Sequence, residues 1–407
     1  MHIALVTPYF PDASAGGGRT RIARLSAALA QQGQVHLFAA LAEEDLATEQ
    51  QRGGGAVDPY ARVVTHLLES SPPRGFGPVR VRRFPERLAR AIAAAHDASP
   101  FDVVVLVHSY AGPGIAYLQD ATVVLDEPDV RSNVELRNVR ADASRVVPRL
   151  YALQQWKNYE RTVWDRADAI TLGRPRDLSA VHVHRSDTGL VVPNGVDAES
   201  FFYTPPSRRK GNTVLFVGDM RAPAIVAGAK ELVQQVLPRL RMRIPDVALT
   251  LAGRSPPRDV RALESDDVRV AGGLTSVMPL YRDHAVFAVP IAAGGEGVSS
   301  VLEPMACGMP VVAPPPVLHE LPAEEDRDYL AARSVPDLAD RLAAALANRK
   351  RLDEMALSAR RIAERQDWEI IGERFARIVM ATVARKQRDR GESFPPRGRR
   401  RSIFRSR

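Results

Sequence analysis

The sequence predicts an α/β protein made of two doubly wound halves, and three observations support this fold class. The 407 residues are enough for two domains of about 200 residues each. Short apolar runs alternate with longer stretches in which apolar residues recur at helical spacing, which is typical of βαβ units with parallel strands. This alternation starts again after the proline-rich, basic segment Tyr203–Gly211, which predicts an interdomain linker there.

The first half opens with a βαβ unit. The apolar run His2–Thr7 predicts a strand that is buried on both faces, as strands of parallel sheets are. Ile22, Leu25 and Leu29 recur at helical spacing and predict a helix over about Arg19–Gln32. The other elements predicted before the linker are strands at Val35–Ala39, Phe101–Val107, Thr122–Leu125, Ala169–Leu172 and Gly189–Val192, and helices at Glu86–Ala95 and Val134–Trp164.

The second half repeats the alternation, with a strand at Thr213–Val217 and a helix at Ala227–Arg243. Further strands are predicted at Val247–Leu251, Val268–Val270, Val286–Val289 and Val311–Val312, and the last helices at Val335–Asn348, Leu352–Gln366 and Trp368–Arg385. Open α/β sheets bind ligands at the carboxyl ends of their strands, so two such halves predict a ligand site in a cleft. The predicted organisation is an N-terminal domain at 1–202, a linker at 203–211, a second domain at 212–366, a helix returning to the first domain at 367–385 and a basic tail at 386–407.

The net charge of +8 is concentrated in the tail. Ten basic and two acidic residues lie between Arg385 and Arg407, which leaves 46 of each sign in the rest of the chain. A neutral body argues against a nucleic-acid-binding protein. The tail itself is compatible with a solvated terminus or with peripheral contact to an anionic membrane surface.

Cysteine usage and hydropathy bear on the compartment. Cys307 is the only cysteine, so an intramolecular disulfide is impossible, and a reducing compartment is indicated. No stretch approaches the roughly 20 apolar residues of a membrane span. Met1–Phe10 lacks the basic n-region of a signal peptide. We therefore expect a cytoplasmic protein, either free or peripherally bound at the inner face of the cell membrane. The composition, with five lysines and abundant alanine, is typical of a GC-rich bacterial genome.

A first candidate ligand loop lies between Thr7 and Thr20. It contains Gly16, Gly17 and Gly18 just before the predicted helix. Glycines allow backbone N–H groups to approach a ligand closely, and a helix N-terminus attracts anions. The spacing is not that of a dinucleotide-binding fingerprint, which argues against a nicotinamide dehydrogenase, and a flexible turn is the alternative interpretation.

A second candidate loop lies between Val289 and Val312. A strand ends, a glycine loop with Gly294, Gly295 and Gly297 follows, and a short helix begins near Ser300. Backbone N–H groups of such a loop bind phosphates, and a carboxylate such as Glu303 suits ribose hydroxyls. Ser300 and Glu303 also fit a capping box, in which the glutamate only satisfies backbone donors.

Several segments together carry a family resemblance. In chain order they are the opening strand with its glycine loop, Val192–Asp197 (VPNGVD), Thr213–Gly218 (TVLFVG), Pro245–Gly253 (PDVALTLAG), Val268–Gly272, Val301–Val312 (VLEPMACGMPVV) and Trp368. With these segments the chain resembles glycosyltransferase family 4, the retaining GT-B enzymes, over about residues 1–385. The resemblance implies two Rossmann-like domains facing across a cleft.

The resemblance also implies functional residues. The glutamate at Glu303 binds the donor ribose, His108 lies beside the sugar and acceptor, and the backbone at Val270 contacts the base. It implies a nucleotide sugar as co-substrate, an acceptor that the sequence does not identify, and no metal or other cofactor. Asp126 and Asp129 are acceptor-side candidates, although such carboxylates are also common in turns. The donor-binding set implied is Gly16, Gly17, Gly18, Gly218, Val270, Gly294, Gly295, Glu296, Gly297, Val301, Leu302 and Glu303.

The chain departs from the family where cations are expected. Gly218 is followed by Asp219 instead of an arginine, and Ala224 occupies a lysine position. In the family a second glutamate is usually separated from the ribose glutamate by seven residues, which is the position of Gly295 here, whereas Glu296 is separated from Glu303 by six. A departing diphosphate is normally neutralised by cations, and Arg221 and Arg254 are the first candidates to supply them. An active retaining glycosyltransferase is the leading hypothesis; a catalytically weak scaffold for another transferase, or a GT-B epimerase or phosphorylase, is the alternative.

Overall fold

The computed structural model describes residues 1–13, 17–43, 58–70, 78–141, 146–182, 189–220, 222–274, 276–293, 298–319 and 321–391. The chain forms two compact units. The first unit contains Met1–Asn194 and Glu369–Arg407, and the second contains Gly195–Trp368.

The first unit is built on a parallel sheet of seven strands in the order β3-β2-β1-β4-β5-β6-β7. The strands are β1 His2–Thr7, β2 Gln34–Leu41, β3 Tyr60–Leu67, β4 Val103–Val107, β5 Val123–Glu127, β6 Ala169–Leu172 and β7 Gly189–Val191. The α-helices are Gly17–Ala30, Val79–Arg82, Glu86–Ala98, Arg131–Ala141, Val146–Trp164, Leu178–His182 and Trp368–Gly391, and 3₁₀ turns lie at Ser109–Ile115 and Pro175–Asp177.

The core of this unit follows from its residue types. All five residues of β4 are buried, in line with the continuous β-branched run from which the strand was predicted. Leu88, Ala89 and Ile92 place the apolar face of the helix Glu86–Ala98 in the same core. The sequence prediction missed β3, because much of this outer strand is exposed or only half-buried and lacks a continuous apolar run.

The second unit is built on a six-stranded parallel sheet in the order β10-β9-β8-β11-β12-β13. The strands are β8 Thr213–Asp219, β9 Ala248–Arg254, β10 Val268–Gly272, β11 Val286–Ala288, β12 Val311–Ala313 and β13 Leu330–Ala331. The α-helices are Pro223–Glu231, Leu237–Arg241, Arg258–Arg261, Met278–Asp283, Val298–Ala306, Pro315–Leu318, Val335–Ala347 and Asp353–Arg365; a π-helical segment lies at Leu232–Val236, and 3₁₀ turns lie at Pro206–Arg208, Ile291–Ala293 and Arg349–Leu352. The two-domain α/β fold class predicted from the sequence is therefore confirmed.

The boundary between the units falls at Asn194/Gly195, upstream of the linker predicted at 203–211. The predicted linker is held in the second unit by Arg209, whose buried guanidinium donates to the carbonyl oxygens of Tyr281 (2.7 Å), His284 (2.8 Å) and Cys307 (2.6 Å). Of its three basic residues, Arg209 is thus a buried anchor, whereas Arg208 and Lys210 are exposed. In the part of the chain that the structure describes, no helix is long and apolar enough to cross a membrane.

Candidate functional site

Three glycines lie side by side at the carboxyl edge of the second sheet. Gly218 near the end of β8 pairs in register with Gly253 of β9, which pairs with Gly272 of β10. A Cβ on Gly253 would lie 1.9 Å from the carbonyl oxygen of Gly218, and one on Gly272 would lie 2.7 Å from Cδ of Pro256. A Cβ on Gly218 would lie 2.7 Å from Cγ2 of Ile225, so the predicted donor residue Gly218 also has a packing role. Side chains are thus absent from this row, and the sheet edge presents backbone.

Glu303 lies on the helix Val298–Ala306, which precedes β12. Val301, Leu302 and Met305 on this helix are buried in the core, whereas Glu303 lies on a half-buried face. The hydroxyl of the fully buried Tyr281 donates to Oε2 of Glu303 at 2.8 Å. Burial raises the pKa of Glu303, and the hydrogen bond from Tyr281 opposes this shift. The carboxylate is therefore fixed in orientation by a side chain that the sequence did not single out.

Arg209 supports both members of this pair. Its guanidinium binds the backbone carbonyl of Tyr281 and that of Cys307, which directly follows the helix carrying Glu303. Burial lowers the pKa of Arg209 to about 10, so the side chain remains charged at neutral pH. The single cation thereby connects the two helices that present the tyrosine and the glutamate.

Glu231 fixes the start of the predicted glycine loop. Its two carboxylate oxygens accept from the backbone N–H groups of Ile291 (2.6 Å) and Ala292 (3.1 Å). On the same helix, Gly228 allows Pro290 to pack closely, since a Cβ there would lie 2.4 Å from Cγ of Pro290. The loop glycines Gly294, Gly295 and Gly297, with Glu296, lie outside the described residues. Glu231 is not among the residues predicted from the sequence, although a charged side chain in the buried face of this helix could have indicated it.

The remaining donor-side predictions are placed as follows. The side chains of Val301 and Leu302 pack into the core. The N–H of Val270 donates to Oε1 of Glu264 at 3.4 Å. Arg221 and the side chain of Arg254 lie outside the described residues, so their assignment as diphosphate cations stays a prediction.

In the first unit, His108 directly follows β4 and has an unusual backbone conformation. Its φ of 63° and ψ of 144° lie in a region that costs a non-glycine residue about 1–3 kcal/mol. The imidazole stacks on Tyr110 with ring centroids 4.6 Å apart, and Nε2 lies 3.1 Å from the Tyr9 hydroxyl. A Cβ on Gly18 would lie 2.2 Å from that hydroxyl, so Gly18 leaves the space that Tyr9 occupies. The neighbouring Gly17 has a φ of 61°, and Gly16 lies outside the described residues.

A buried carboxyl group lies behind His108. Glu127, at the end of β5, accepts from the backbone N–H of Ser109 at 3.0 Å and from the Ser109 hydroxyl. Its Oε1 lies 3.5 Å from Nδ1 of His108. Desolvation by burial raises the pKa of Glu127 to about 8, and burial likewise raises that of Glu160 to about 8. At neutral pH a protonated Glu127 is thus favoured, and it holds the strained turn at His108 and Ser109.

The two predicted acceptor-side aspartates differ in environment. Asp126 is fully buried and receives a bidentate ion pair from Arg21 at 2.7 and 2.9 Å, with Thr171 donating at 2.8 Å. Asp129 is partly exposed and forms an ion pair with Arg174 at 3.1 Å. The acceptor-side role of both residues stays a prediction, and the contacts of Asp126 give it a structural role.

Arg21 organises this edge of the first sheet. Besides Asp126 it donates to the carbonyl oxygens of Val192 (2.8 Å) and Pro193 (3.0 Å) and to Oδ1 of Asn194 (3.1 Å). These acceptors belong to the VPNGVD segment, so one buried cation joins that segment to β5. Among the described residues, no group of three or more His, Cys, Asp or Glu side chains is placed to hold a metal ion.

A family model matches part of the second unit. Residues 211–348 match the family model described as Glycosyl transferases group 1. The chain is 32% identical over 203 residues to the phosphatidyl-myo-inositol mannosyltransferase of Mycolicibacterium smegmatis. This match covers 46% of this chain and 50% of that protein. It is 32% identical over 143 residues to the GDP-mannose-dependent alpha-(1-6)-phosphatidylinositol monomannoside mannosyltransferase of the same organism, covering 30% and 37%. The chain thus spans half or less of the length of these curated relatives.

Solved structures match almost the whole chain. Sucrose-phosphate synthase of Thermosynechococcus elongatus superimposes with a TM-score of 0.69 at 18% identity, covering 94% of this chain and 99% of that one. Anabaena HepE in complex with UDP and glucose gives a TM-score of 0.64 at 14% identity, covering 93% and 99%. These likenesses show the GT-B fold. The family match over residues 211–348 and the two mannosyltransferase relatives confirm the resemblance to a glycosyltransferase of the family 4 kind.

Proposed function

We propose that this protein is a retaining glycosyltransferase that moves a sugar from a nucleoside-diphosphate donor to a hydroxyl acceptor. The observation that carries the proposal is Glu303, held by Tyr281 in the unit whose sheet edge ends in glycines. Glu303 is the residue at which the family resemblance expects ribose binding. A fixed carboxylate and a sheet edge without side chains in the same unit suit a nucleoside diphosphate, since a carboxylate accepts from ribose hydroxyls and backbone N–H groups donate to phosphate oxygens.

In this proposal the second unit binds the donor. Glu231 holds the backbone of Ile291 and Ala292, the segment that directly precedes the predicted glycine loop. Glu303 would accept hydrogen bonds from the ribose, with its orientation set before the ligand arrives. Arg221 and Arg254 remain the proposed cations for the departing diphosphate.

The first unit would supply His108 beside the sugar. Glu127 and Ser109 hold the turn that carries this imidazole, so Glu127 acts as a positioning residue in the proposal. In retaining transfer the acceptor hydroxyl attacks from the face that the diphosphate leaves, through an oxocarbenium-like state. The leaving diphosphate would take the proton of the acceptor, so the step is balanced without a protein base.

The test begins with a donor screen by mass spectrometry. GDP-mannose and UDP-glucose are the first donors to include, because a relative is named GDP-mannose-dependent and HepE was solved with UDP-glucose. Phosphatidylinositol is the first acceptor, after the names of the mannosyltransferases. We expect one donor to be consumed and the anomeric configuration of the product, read by NMR, to match that of the donor. Consumption of no nucleotide sugar would overturn the proposal.

Glu303→Gln tests the site itself. Losing a charged acceptor for the ribose hydroxyls costs about 1.5–3 kcal/mol, or about 10–100-fold in kcat/KM, expressed mainly as a higher KM for the donor. Glu354→Gln, an exposed carboxylate in the same unit, is the matched control and should leave both constants unchanged. Equal kinetics for Glu303→Gln and the control would remove Glu303 from the donor site.

A further inference from the structure

A groove of about 580 Å³ lies in the first unit, beside the helix Trp368–Gly391. Four arginines of that helix line it: Arg374, Arg377, Arg385 and Arg388. The donor and acceptor predictions use none of them, and the groove contains none of the residues assigned to the proposed reaction. The groove is therefore separate from the residues proposed to bind the donor and the acceptor.

The arginines share one face of the helix. At 3.6 residues per turn, their spacings of three, eight and three residues place all four within about 80° of the helix circumference. Fourteen residues separate Arg374 from Arg388, so the row extends over about 21 Å at 1.5 Å per residue. A single phosphate or diphosphate cannot contact a row of this length, whereas a surface that presents many anions can.

The positive charge of this row is largely uncompensated. Arg374, Arg377 and Arg388 are exposed and form no ion pair with any residue that the structure describes. Asp168, the acidic residue of the groove lining, is already bound by Lys386 at 2.6 Å and by the backbone N–H of Val123 at 2.8 Å.

Apolar side chains lie among the arginines. Leu190 is 44% exposed, and Ile378 and Ala381 line the groove between the two pairs of arginines. Arginines that flank apolar side chains suit a membrane interface, where the guanidinium contacts lipid phosphates and the apolar groups contact the acyl boundary. A nucleic-acid backbone would satisfy the charge but would leave the apolar groups without a partner.

We propose that this groove docks the protein on an anionic lipid bilayer. The surface consists of Arg374, Arg377, Arg385 and Arg388 with Leu190 and Ile378, and its ligands are the phosphate headgroups of the membrane. The basic tail beyond Gly391 lies outside the described residues, and the proposal rests on the groove alone. Membrane docking can be measured without any transfer reaction, so its failure and the failure of the proposed activity are separable.

The experiment measures flotation of the full chain with vesicles of phosphatidylcholine alone or with phosphatidylglycerol. The variant Arg374→Gln/Arg377→Gln/Arg388→Gln is compared with Arg258→Gln/Arg361→Gln/Arg365→Gln, which removes the same charge from exposed positions of the second unit. Each basic residue near an anionic surface contributes several-fold to partitioning, so we expect a loss on the order of 100-fold for the groove variant. The control should stay within about threefold of the unchanged protein, and thermal melting verifies that both variants are folded.

Three results would overturn the proposal. The first is equal vesicle binding by the groove variant and the control, which would assign the attraction to net charge. The second is equal binding to neutral and anionic vesicles. The third is tighter binding of single-stranded RNA than of phosphatidylglycerol vesicles by the unchanged protein, lost in the groove variant, which would make the groove a nucleic-acid surface. We also expect vesicle binding to fall at about 1 M salt, where the Debye length is about 3 Å.

Discussion

The carboxyl edges of the two sheets are built from different kinds of residue. The first edge is held by buried charge: Arg21 pairs with Asp126, and Glu127 supports the turn at His108. The second edge has a row without side chains, because Gly218, Gly253 and Gly272 lie in register. The first unit thus fixes particular side chains, and the second exposes backbone.

This difference fits two kinds of ligand. A backbone edge and a fixed carboxylate in one unit suit the diphosphate and the ribose of the proposed donor. An edge of fixed side chains suits the proposed acceptor. The comparison predicts that substitutions in the first unit act through buried charge, whereas those in the second act through steric overlap.

Breaking the Arg21–Asp126 pair should have the largest effect. Arg21→Met leaves Asp126 as an uncompensated buried charge, and removing one partner of such a pair costs about 3–5 kcal/mol. Urea unfolding followed by tryptophan fluorescence measures this loss, since Trp156 and Trp164 both belong to the first unit. Arg90→Met is the control in the same unit, where an exposed pair should give no measurable change. A loss as small as that of the control would show that the buried pair is not what holds this edge.

The two buried glutamates should make stability depend on pH. The pKa of Glu127 is raised from 4.5 to about 8 in the folded chain, so its contribution is fully present below about pH 4.5 and is lost as the pH rises towards 8. Glu127→Gln mimics the protonated acid, and it should flatten the decline of unfolding free energy over this range by an amount on the order of a few kcal/mol. Glu373→Gln, an exposed carboxylate of the same unit, should keep the decline. A variant curve parallel to that of the unchanged protein would contradict the raised pKa.

Sequence patterns predicted the second edge better than the first. The strand that carries Gly218 near its end and the helix that carries Glu303 follow from apolar runs and a short-range motif, so both were predicted. Tyr281 contacts Glu303 across 22 residues, and Arg21 contacts Asp126 across 105, and no local pattern reports such distances. Contacts between residues far apart in the chain therefore cannot be predicted from one sequence. A glycine at the end of a strand, in contrast, is visible in the sequence itself. The division at Asn194 differs from the linker predicted at 203–211, where Arg209 binds carbonyl oxygens more than 70 residues away.

The glycine edge should be sensitive to a single methyl group. A Cβ at Gly253 would lie 1.9 Å from a backbone oxygen of β8, so Gly253→Ala must displace one of two paired strands. Overpacking of this kind costs about 1–3 kcal/mol. Hydrogen exchange of peptides from β8 and β9 should accelerate, while peptides of the first unit keep their protection. Gly391→Ala, with no atom within 4 Å of the added Cβ, should leave all rates unchanged. Unaltered exchange in β8 and β9 would show that the edge tolerates side chains and is not a backbone surface.

The smallest expected effect concerns the hydroxyl that orients Glu303. Tyr281→Phe keeps the buried ring and removes the 2.8 Å hydrogen bond, so the carboxylate gains freedom and loses one donor. A hydrogen bond to a charged group contributes about 1.5–3 kcal/mol, but the ligand hydroxyls replace part of it, so we expect donor affinity to fall about 3–10-fold. Isothermal titration with the nucleotide identified in the donor screen measures the change, and Tyr329→Phe in the same core is the control. If Tyr281→Phe binds the nucleotide as tightly as Tyr329→Phe, the orientation of Glu303 is set by its helix alone, and the tyrosine only fills the core.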